Sequence, residues 1–470
     1  MTDPELDLQS VLASLPPEWP HDLLPEIRQR VQASGRKLVV LDDDPTGTQT
    51  VHGLVVLTEW PVERLTAELR SDAPAFYLLT NSRSLPLPAA QALNAEIGAN
   101  LLAAGQASGR DFAVVSRSDS TLRGHFPGEV HTLAGALGGG FDAWILAPFF
   151  PEGGRYTLQD IHYVADGPRL VPAGQTEFAR DTAFGYRASN LREWVAEKTG
   201  GAIPAESVAS ISLAELRQGG PLAVTQRLLA LPHGSVCVLN AASYRDLEVF
   251  CLGLLAAEAA GRRYLYRSAA SFVRVRAGLA PRELLTRADL NLPASGAGLL
   301  IAGSYVPRTS AQLETLLAGT RIEPLEVRVE HLLNEDHRAD EITRISQAVN
   351  HCLRGERDAV VFTSRKLVSV AGAEQNLKIG QAVSDSLVAI LHSLEVRPRY
   401  LLAKGGVTSS DIATRGLGIK RAVVLGQILP GVPVWQSGPE SRYPGMAYIV
   451  FPGNVGSPQA LAQIVQQLSE

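Results

Sequence analysis

Short, near-continuous apolar runs alternate with longer amphipathic stretches along this chain. The runs Lys37–Leu41, Leu54–Leu57, Phe76–Leu79, Phe112–Val115, Trp144–Ala147 and Ser235–Leu239 are rich in Val, Leu and Ile. A second series lies at Leu299–Ala302, Leu325–Val329, Ala359–Thr363, Tyr400–Ala403, Ala422–Leu425 and Ala447–Val450. Such runs predict strands buried on both faces, as in parallel sheets. Leu325–Val329 differs: its apolar residues alternate with Glu326 and Arg328, which predicts an edge strand or one wet face. Between strands, Leu93, Ile97 and Leu101 share one face at helical spacing. The alternation predicts an α/β fold of two domains, each a largely parallel sheet flanked by helices. The turn-rich segment Asn291–Gly298 suggests domains at residues 1–280 and 281–470. Glu152–Asn190, rich in Gly, Pro and polar residues, reads as a long loop.

Composition narrows the class. The 470 residues are 45% hydrophobic and 19% charged, which suits a folded globular chain. A net charge of −5, from 43 basic and 48 acidic residues, recruits neither nucleic acid nor an anionic membrane surface. No apolar run is long enough to span a membrane, and Met1–Gln9 is too polar for a secretory signal. The expected setting is cytoplasmic. Three cysteines without close spacing suggest neither a disulfide framework nor a cysteine metal site. His52, His125 and His162 are not spaced as a metal triad.

Open α/β sheets bind ligands beyond the carboxyl ends of their strands. Candidate chemistry is therefore sought there. The first strand runs into Asp42-Asp43-Asp44-Pro45-Thr46-Gly47. Three adjacent carboxylates repel one another unless cations or donors offset them. They could orient a polyol, bind a cation or accept a hydroxyl proton; the plain alternative is a turn or helix N-cap. Strand alternation would point Asp42 and Asp44 one way and Asp43 the other. Thr80-Asn81-Ser82-Arg83 follows a further strand and suits an acid ligand, because a guanidinium matches a carboxylate bidentately. Ser116-Arg117-Ser118-Asp119-Ser120-Thr121-Leu122-Arg123-Gly124 adds two arginines, a carboxylate and four hydroxyls.

In the second half the strand ends carry glycine. Gly303-Ser304 and Lys404-Gly405-Gly406-Val407-Thr408-Ser409 each sit between a strand and a helical stretch. Such turns can turn backbone N–H groups toward phosphate; tight βα packing is the plain alternative. Phe451-Pro452-Gly453-Asn454-Val455-Gly456 follows the last strand and could close over the same ligand. No P-loop, dinucleotide fingerprint or nucleophile elbow is present.

Together, Asp43-Asp44-Pro-Thr46-Gly47, Ser82-Arg83, Asp119-Ser120-Thr121-Leu122-Arg123-Gly124 and Gly405-Gly406-Val-Thr408-Ser409 resemble the four-carbon acid sugar kinase family. The resemblance spans nearly the whole chain in motif order. It implies an N-terminal acid-sugar domain, a C-terminal nucleotide domain and an active site in the cleft between them. It implies ATP-dependent phosphorylation of threonate, erythronate or 3-oxo-tetronate. Mg²⁺ would bridge the phosphates with water completing its shell, and no residue is assigned as a metal ligand. Asp43, Asp44 and Arg123 are the implied catalytic residues. Ser82, Arg83, Arg117 and Asp119 would bind the sugar acid. Ser304, Gly405, Gly406, Val407, Thr408 and Gly453 would bind the nucleotide. Partners would be the sugar acid and ATP, with oligomerisation left open. The chain departs from the family at Pro45, at a closing loop lacking its lysine, at Arg267-Ser268-Ala269-Ala270 in place of Gly-Ser-Ala-Gly, and at Asn240 in place of Asp. A kinase of a different small acid or polyol, a hydrolase and a non-catalytic binding protein are the alternatives.

Overall fold

The computed structural model describes residues 4–303, 306–365 and 373–469. The chain divides into two compact units, residues 1–51 with 59–281, and residues 52–58 with 282–470.

In chain order the strands are β1 Leu6–Asp7, β2 Lys37–Asp42, β3 Val55–Leu57, β4 Ala75–Leu79, β5 Phe112–Arg117 and β6 Ala143–Ala147. They continue as β7 Arg155–Leu158, β8 Ile161–Asp166, β9 Arg169–Pro172, β10 Ala209–Ile211, β11 Ser235–Leu239 and β12 Tyr264–Ser268. The rest are β13 Leu299–Ala302, β14 Glu323–Val327, β15 Ala359–Thr363, β16 Leu401–Lys404, β17 Arg421–Leu429, β18 Val432–Ser437 and β19 Ala447–Phe451.

The main sheet of the first unit is parallel throughout, in the order β10-β11-β6-β12-β5-β2-β4. Every residue of β2 and β4 is buried, including the charged ends of β2, Lys37 and Asp42. From β2 the chain goes to β4 on one side and then to β5 on the other. The helix Leu87–Ser108 between them buries Ile97 and Leu101. That reversal is a topological switch point, where a crevice opens at the carboxyl ends.

The second unit repeats this logic with β14, β15, β13, β16 and β19 in parallel. Its switch lies between β13 and β16. β18, β17 and β3 extend it antiparallel, so a strand from the first half of the sequence completes the second sheet. β14 is an edge strand that buries Leu325 and Val327 and exposes Glu326, as its alternation requires.

The long loop expected at Glu152–Asn190 is instead a small antiparallel sheet, β1-β9-β8-β7, followed by 3₁₀ turns. Its first hairpin turns at Gln159-Asp160, both at positive φ, as the favoured two-residue hairpin turn demands. The sequence hid these strands because polar Thr157 and His162, paired on one face, are buried as fully as Leu158 and Tyr163 on the other. Cys237, Cys251 and Cys352 are buried and free. No described helix is long and apolar enough to cross a membrane.

Candidate functional site

The first crevice is walled by the ends of β2, β4, β5 and β12. β2 stops at Asp42, so Asp43 and Asp44 lie beyond the strand and its alternation no longer sorts them. Asp44 instead caps the 3₁₀ turn Pro45–Thr48, accepting from the Thr46 N–H at 2.9 Å and the Thr46 hydroxyl at 2.5 Å. The Asp43 N–H donates to the Arg117 carbonyl, and the Arg83 N–H to the Asp43 carbonyl. Backbone bonds between strand ends thus fix where the charged side chains begin.

Two guanidiniums partition the carboxylates. Arg117 lies beneath, its Nη1 3.0 Å from Asp42 Oδ1 and 3.3 Å from Asp43 Oδ1. Arg83 pairs with Asp44 through Nη2, while its Nη1 stands 3.4 Å from Asp119 and 3.9 Å from Asp43. Arg123 Nε donates to Asp119 at 2.6 Å, and its Nη1 is 3.5 Å from Asp181. Asp43, Asp44, Arg83, Arg117, Asp119 and Arg123 therefore form one cluster. Ser82 is buried at its margin, accepting from the Thr80 hydroxyl at 3.1 Å.

These contacts set the ionisation of each group. Burial raises Asp42 to about 8 despite Arg117, with Asp43 and Asp44 adding to the rise. Burial also raises Asp43, to about 6, with Arg83 and Arg117 pulling it down. At Asp44 burial is outweighed by Arg83 and by the Thr46 hydrogen bonds, and the carboxyl falls below its usual range. At Asp119 burial is outweighed by Arg123 and Arg83, and the carboxyl falls far below that range. Asp42 and Asp43 are thus the two carboxylates that exchange a proton around neutrality, and of the two Asp43 has the open oxygen. Its Oδ2, with Arg83 Nη1 and Arg117 Nε, is buried without a hydrogen-bond partner. Native interiors seldom leave such atoms unmatched, because each costs about 1–3 kcal/mol. A carboxylate oxygen and a guanidinium N–H left open together suit a ligand carrying both a hydroxyl donor and an anionic acceptor.

The loop after β5 is braced from outside. Leu122 and Gly124 both lie at positive φ. A Cβ at Gly124 would stand 3.3 Å from Asp43 Oδ2 and 3.6 Å from Arg267 Nη2, so glycine keeps this approach to the cluster open. His162 Nε2 lies 2.8 Å from the Ser120 carbonyl, and the Tyr186 hydroxyl donates to the Thr121 carbonyl at 2.7 Å. Burial lowers His162 to about 4, so it is a neutral brace at physiological pH. Phe178 packs against the Arg123 guanidinium, 5.2 Å from the ring centroid.

In the second unit, the carboxyl ends of β13, β16 and β19 lie side by side. Gly405 has φ +112°, and its N–H donates to the Phe451 carbonyl at 2.9 Å. Only glycine adopts that conformation without strain, and it passes directly into the helical segment Gly406–Asp411. A Cβ on Gly303 would collide with the Thr408 hydroxyl, so the first and second glycine loops touch. Val407 is 52% exposed, unusual for an apolar side chain. Lys404 is fully buried: its ammonium donates to the Pro452 carbonyl at 2.8 Å and the Gly453 carbonyl at 3.3 Å. It also lies 4.0 Å over the Phe451 ring. Burial pulls this ammonium down to about 7, with Arg308 adding to the fall. Arg308 and Gln312 hold the same closing loop at the Asn454 and Val455 carbonyls. Gly405, Gly406, Val407, Thr408 and Gly453 thus share one strand-end surface. Ser304 lies outside the described residues.

A family model for a sugar-binding N-terminal domain matches residues 38–276, and one for a nucleotide-binding C-terminal domain matches residues 299–461. The chain belongs to this sugar-binding family. Two solved structures share its fold. A Salmonella typhimurium LT2 protein provisionally named a tRNA synthase is 18% identical, with a TM-score of 0.65 over 90% of this chain and 97% of its own. Haemophilus influenzae protein HI1011, assigned to the DUF1537 family, is 19% identical, with a TM-score of 0.59 over 90% of this chain and 99% of its own. A search of curated proteins returns no match.

Residues beyond the sequence motifs complete the sugar-binding domain. Arg267, at the end of β12, is 5% exposed and faces the cluster. It donates to the Arg123 carbonyl at 3.2 Å and lies near Phe126 and Trp194, 5.4 and 5.1 Å from their centroids. Burial lowers this guanidinium's affinity for its proton; Asp43, Glu129 and Asp119 oppose that without reaching ion-pair distance. Its replacement of a motif glycine was the one signal in the sequence. His162, Phe178, Asp181 and Tyr186 gave none, because the segment that carries them read as a loop. Asn240 belongs to the scaffold: its amide accepts from the Asp160 N–H and donates to Asp160, Ser210 and Ile211 oxygens. An aspartate there could not donate.

No group of three or more His, Cys, Asp or Glu side chains suited to a metal ion is found among the described residues. In the sugar-binding cluster Asp42 and Asp44 are matched to guanidiniums, which does not fit a resident Mg²⁺. An ion accompanying ATP would take its ligands from phosphate and water.

Proposed function

We propose that the protein transfers the γ-phosphoryl group of ATP to a hydroxyl of a small sugar acid, of about four carbons. Asp43 supports this reading most directly. Its open oxygen and raised affinity for protons suit a group that accepts the acceptor hydroxyl's proton as the bond to phosphorus forms. The freed alkoxide oxygen bonds to the γ-phosphorus, the bond from phosphorus to the β-bridging oxygen breaks, and ADP leaves. Arg83, held by Asp44 and Asp119, neutralises the substrate carboxylate or the passing phosphoryl oxygens, and Arg123 adds charge beside it. Asp42 and Arg117 lie deeper and fix the strand end that carries Asp43. In the nucleotide-binding domain the Gly405-Gly406 turn and Thr408 supply donors for ATP phosphates, and Lys404 holds the closing loop.

ADP release measured against sugar acids of three to six carbons tests this. The expected result is turnover with the highest kcat/KM for a four-carbon acid. No release with any acid, together with no ATP binding by calorimetry, would leave a binding protein or a hydrolase. One observation favours a second reading. Arg267 brings an extra buried cation where the four-carbon pattern has glycine, which suits a longer or more anionic acid.

A further inference from the structure

The sugar-binding domain has a second basic recess at the opposite, amino-terminal end of its strands. A cavity of about 370 Å³ opens at the start of β2, lined by Arg28, Gln32, Arg36, Lys37, Asp72 and Arg110 among others. That volume lies at the small end of ligand sites, roughly 300–1,000 Å³. Lys37 and the catalytic Asp43 lie six residues apart, roughly 20 Å along an extended chain. The recess is therefore distinct from the cluster.

Its charges are unevenly matched. Lys37 is buried, and its ammonium is held by the Ser71 and Ala73 carbonyls. Those bonds fix one wall of the recess, and among the described residues the ammonium has no ion-pair partner. Arg28 donates through Nε to the Gly278 carbonyl at 3.1 Å and has no carboxylate partner among the described residues. The Arg110 guanidinium likewise has none among them. Arg36 is engaged, 3.1 Å from Asp111 and 3.8 Å from Glu258. Asp72 is the one carboxylate of the lining; it and Glu68, which is not part of the lining, both act on Lys37 electrostatically. Arg110 follows the end of the helix Leu87–Ser108, whose dipole favours a cation there. That accounts for one positive charge, not for three converging on one concavity.

We propose that this recess is a second anion site, which takes a small polyanion, a phosphate ester or a polycarboxylate. Lys37 supplies fixed charge, and Arg28 and Arg110 supply the exchangeable N–H donors. Guanidinium forks suit both anion types, so two probes distinguish them.

Pyrophosphate and tricarballylate are titrated separately by calorimetry into the full chain. The same titrations are run on R28A/R110A, R110E and R83A. Arg28 and Arg110 are exposed, so their replacement spares the core. The expected result is a binding event with at least one probe that weakens tenfold or more in R28A/R110A and in R110E and persists in R83A. R123A replaces R83A if the latter does not fold. Tighter binding of pyrophosphate would mark a phosphate ester, and tighter binding of tricarballylate a polycarboxylate. Unchanged binding in R28A/R110A, binding of neither probe, or loss of all binding in folded R83A or R123A would overturn the proposal.

Discussion

At its strand ends the sugar-binding domain presents side-chain charge: Asp42, Asp43, Asp44 and Asp119 against Arg83, Arg117, Arg123 and Arg267. At its own strand ends the nucleotide-binding domain presents backbone: Gly303, Gly405 and Gly453, with one buried ammonium, Lys404, holding two carbonyls. Both surfaces form at a switch point in a parallel sheet, so the architecture does not account for the difference. The chemistry of the proposed ligands would. A small sugar acid offers hydroxyls and a carboxylate, which only directed side chains can tell apart. A polyphosphate offers many equivalent oxygens, which N–H groups can meet when no Cβ intervenes. One surface therefore keeps order by pairing charges, and the other by backbone conformation.

The comparison is tested most severely at Asp43. Asp43→Asn keeps the shape and removes the proton acceptor, so kcat is expected to fall by about 10²–10⁴-fold. Binding of ATP should be unchanged in calorimetry. Near-normal kcat would move the proton acceptor elsewhere in the cluster.

Gly405→Ala is the converse test. It forces a side chain into φ +112°, a strain of about 1–3 kcal/mol. ATP affinity should drop roughly tenfold, equivalent to about 1.4 kcal/mol, while sugar-acid binding is retained. Equal loss of both affinities would mean that the glycine serves folding instead of the nucleotide.

Arg267→Gln should raise KM for the sugar acid about tenfold or more and change kcat less, since a charge-assisted hydrogen bond is worth about 1.5–3 kcal/mol. A steady-state panel of acids reads this out. If KM rises equally for short and long acids, Arg267 does not choose among them.

The remaining effects concern stability instead of ligand binding, and they have opposite signs in the two domains. Asp42 is raised from 3.8 to about 8 in the folded state. Its contribution is complete below about 3.8 and is lost as pH rises through about 8. Lys404 is lowered from 10.5 to about 7. Its contribution is complete above about 10.5 and is lost as pH falls through about 7. Denaturant midpoints measured from pH 4 to 10 should therefore respond oppositely to Asp42→Asn and Lys404→Met. The first should flatten the decline toward alkaline pH, and the second the decline toward acid. Matching changes in both variants would remove the contrast.

Much of the charged cluster was legible in the sequence. Asp43, Asp44, Arg83, Asp119 and Arg123 sit directly after apolar runs, and in a parallel sheet that position is itself a prediction. Their division of labour could not be read. Which oxygen of Asp43 stays open depends on Arg117 arriving from β5 and Arg83 from the turn after β4. The brace from His162 and Tyr186 was invisible because His162 is a buried polar residue in a short strand and Tyr186 lies in a segment that reads as loop. Arg267 gave a hint only as a misfit in a motif.

Local sequence determined the α/β class, most of the principal strands, the edge character of β14 and the concentration of chemistry at strand ends. Those features follow from backbone periodicity and from the burial of short apolar runs, which neighbouring residues set. The tertiary structure decided what depends on distant meetings. It placed Val55–Leu57 in the second sheet, made a small sheet of a segment that reads as loop, and turned Lys404 inward onto Pro452 and Gly453. It also gave three adjacent aspartates three different affinities for protons. A carboxylate's charge state is set by its burial and by the cations near it, and those cations come from strands tens of residues away.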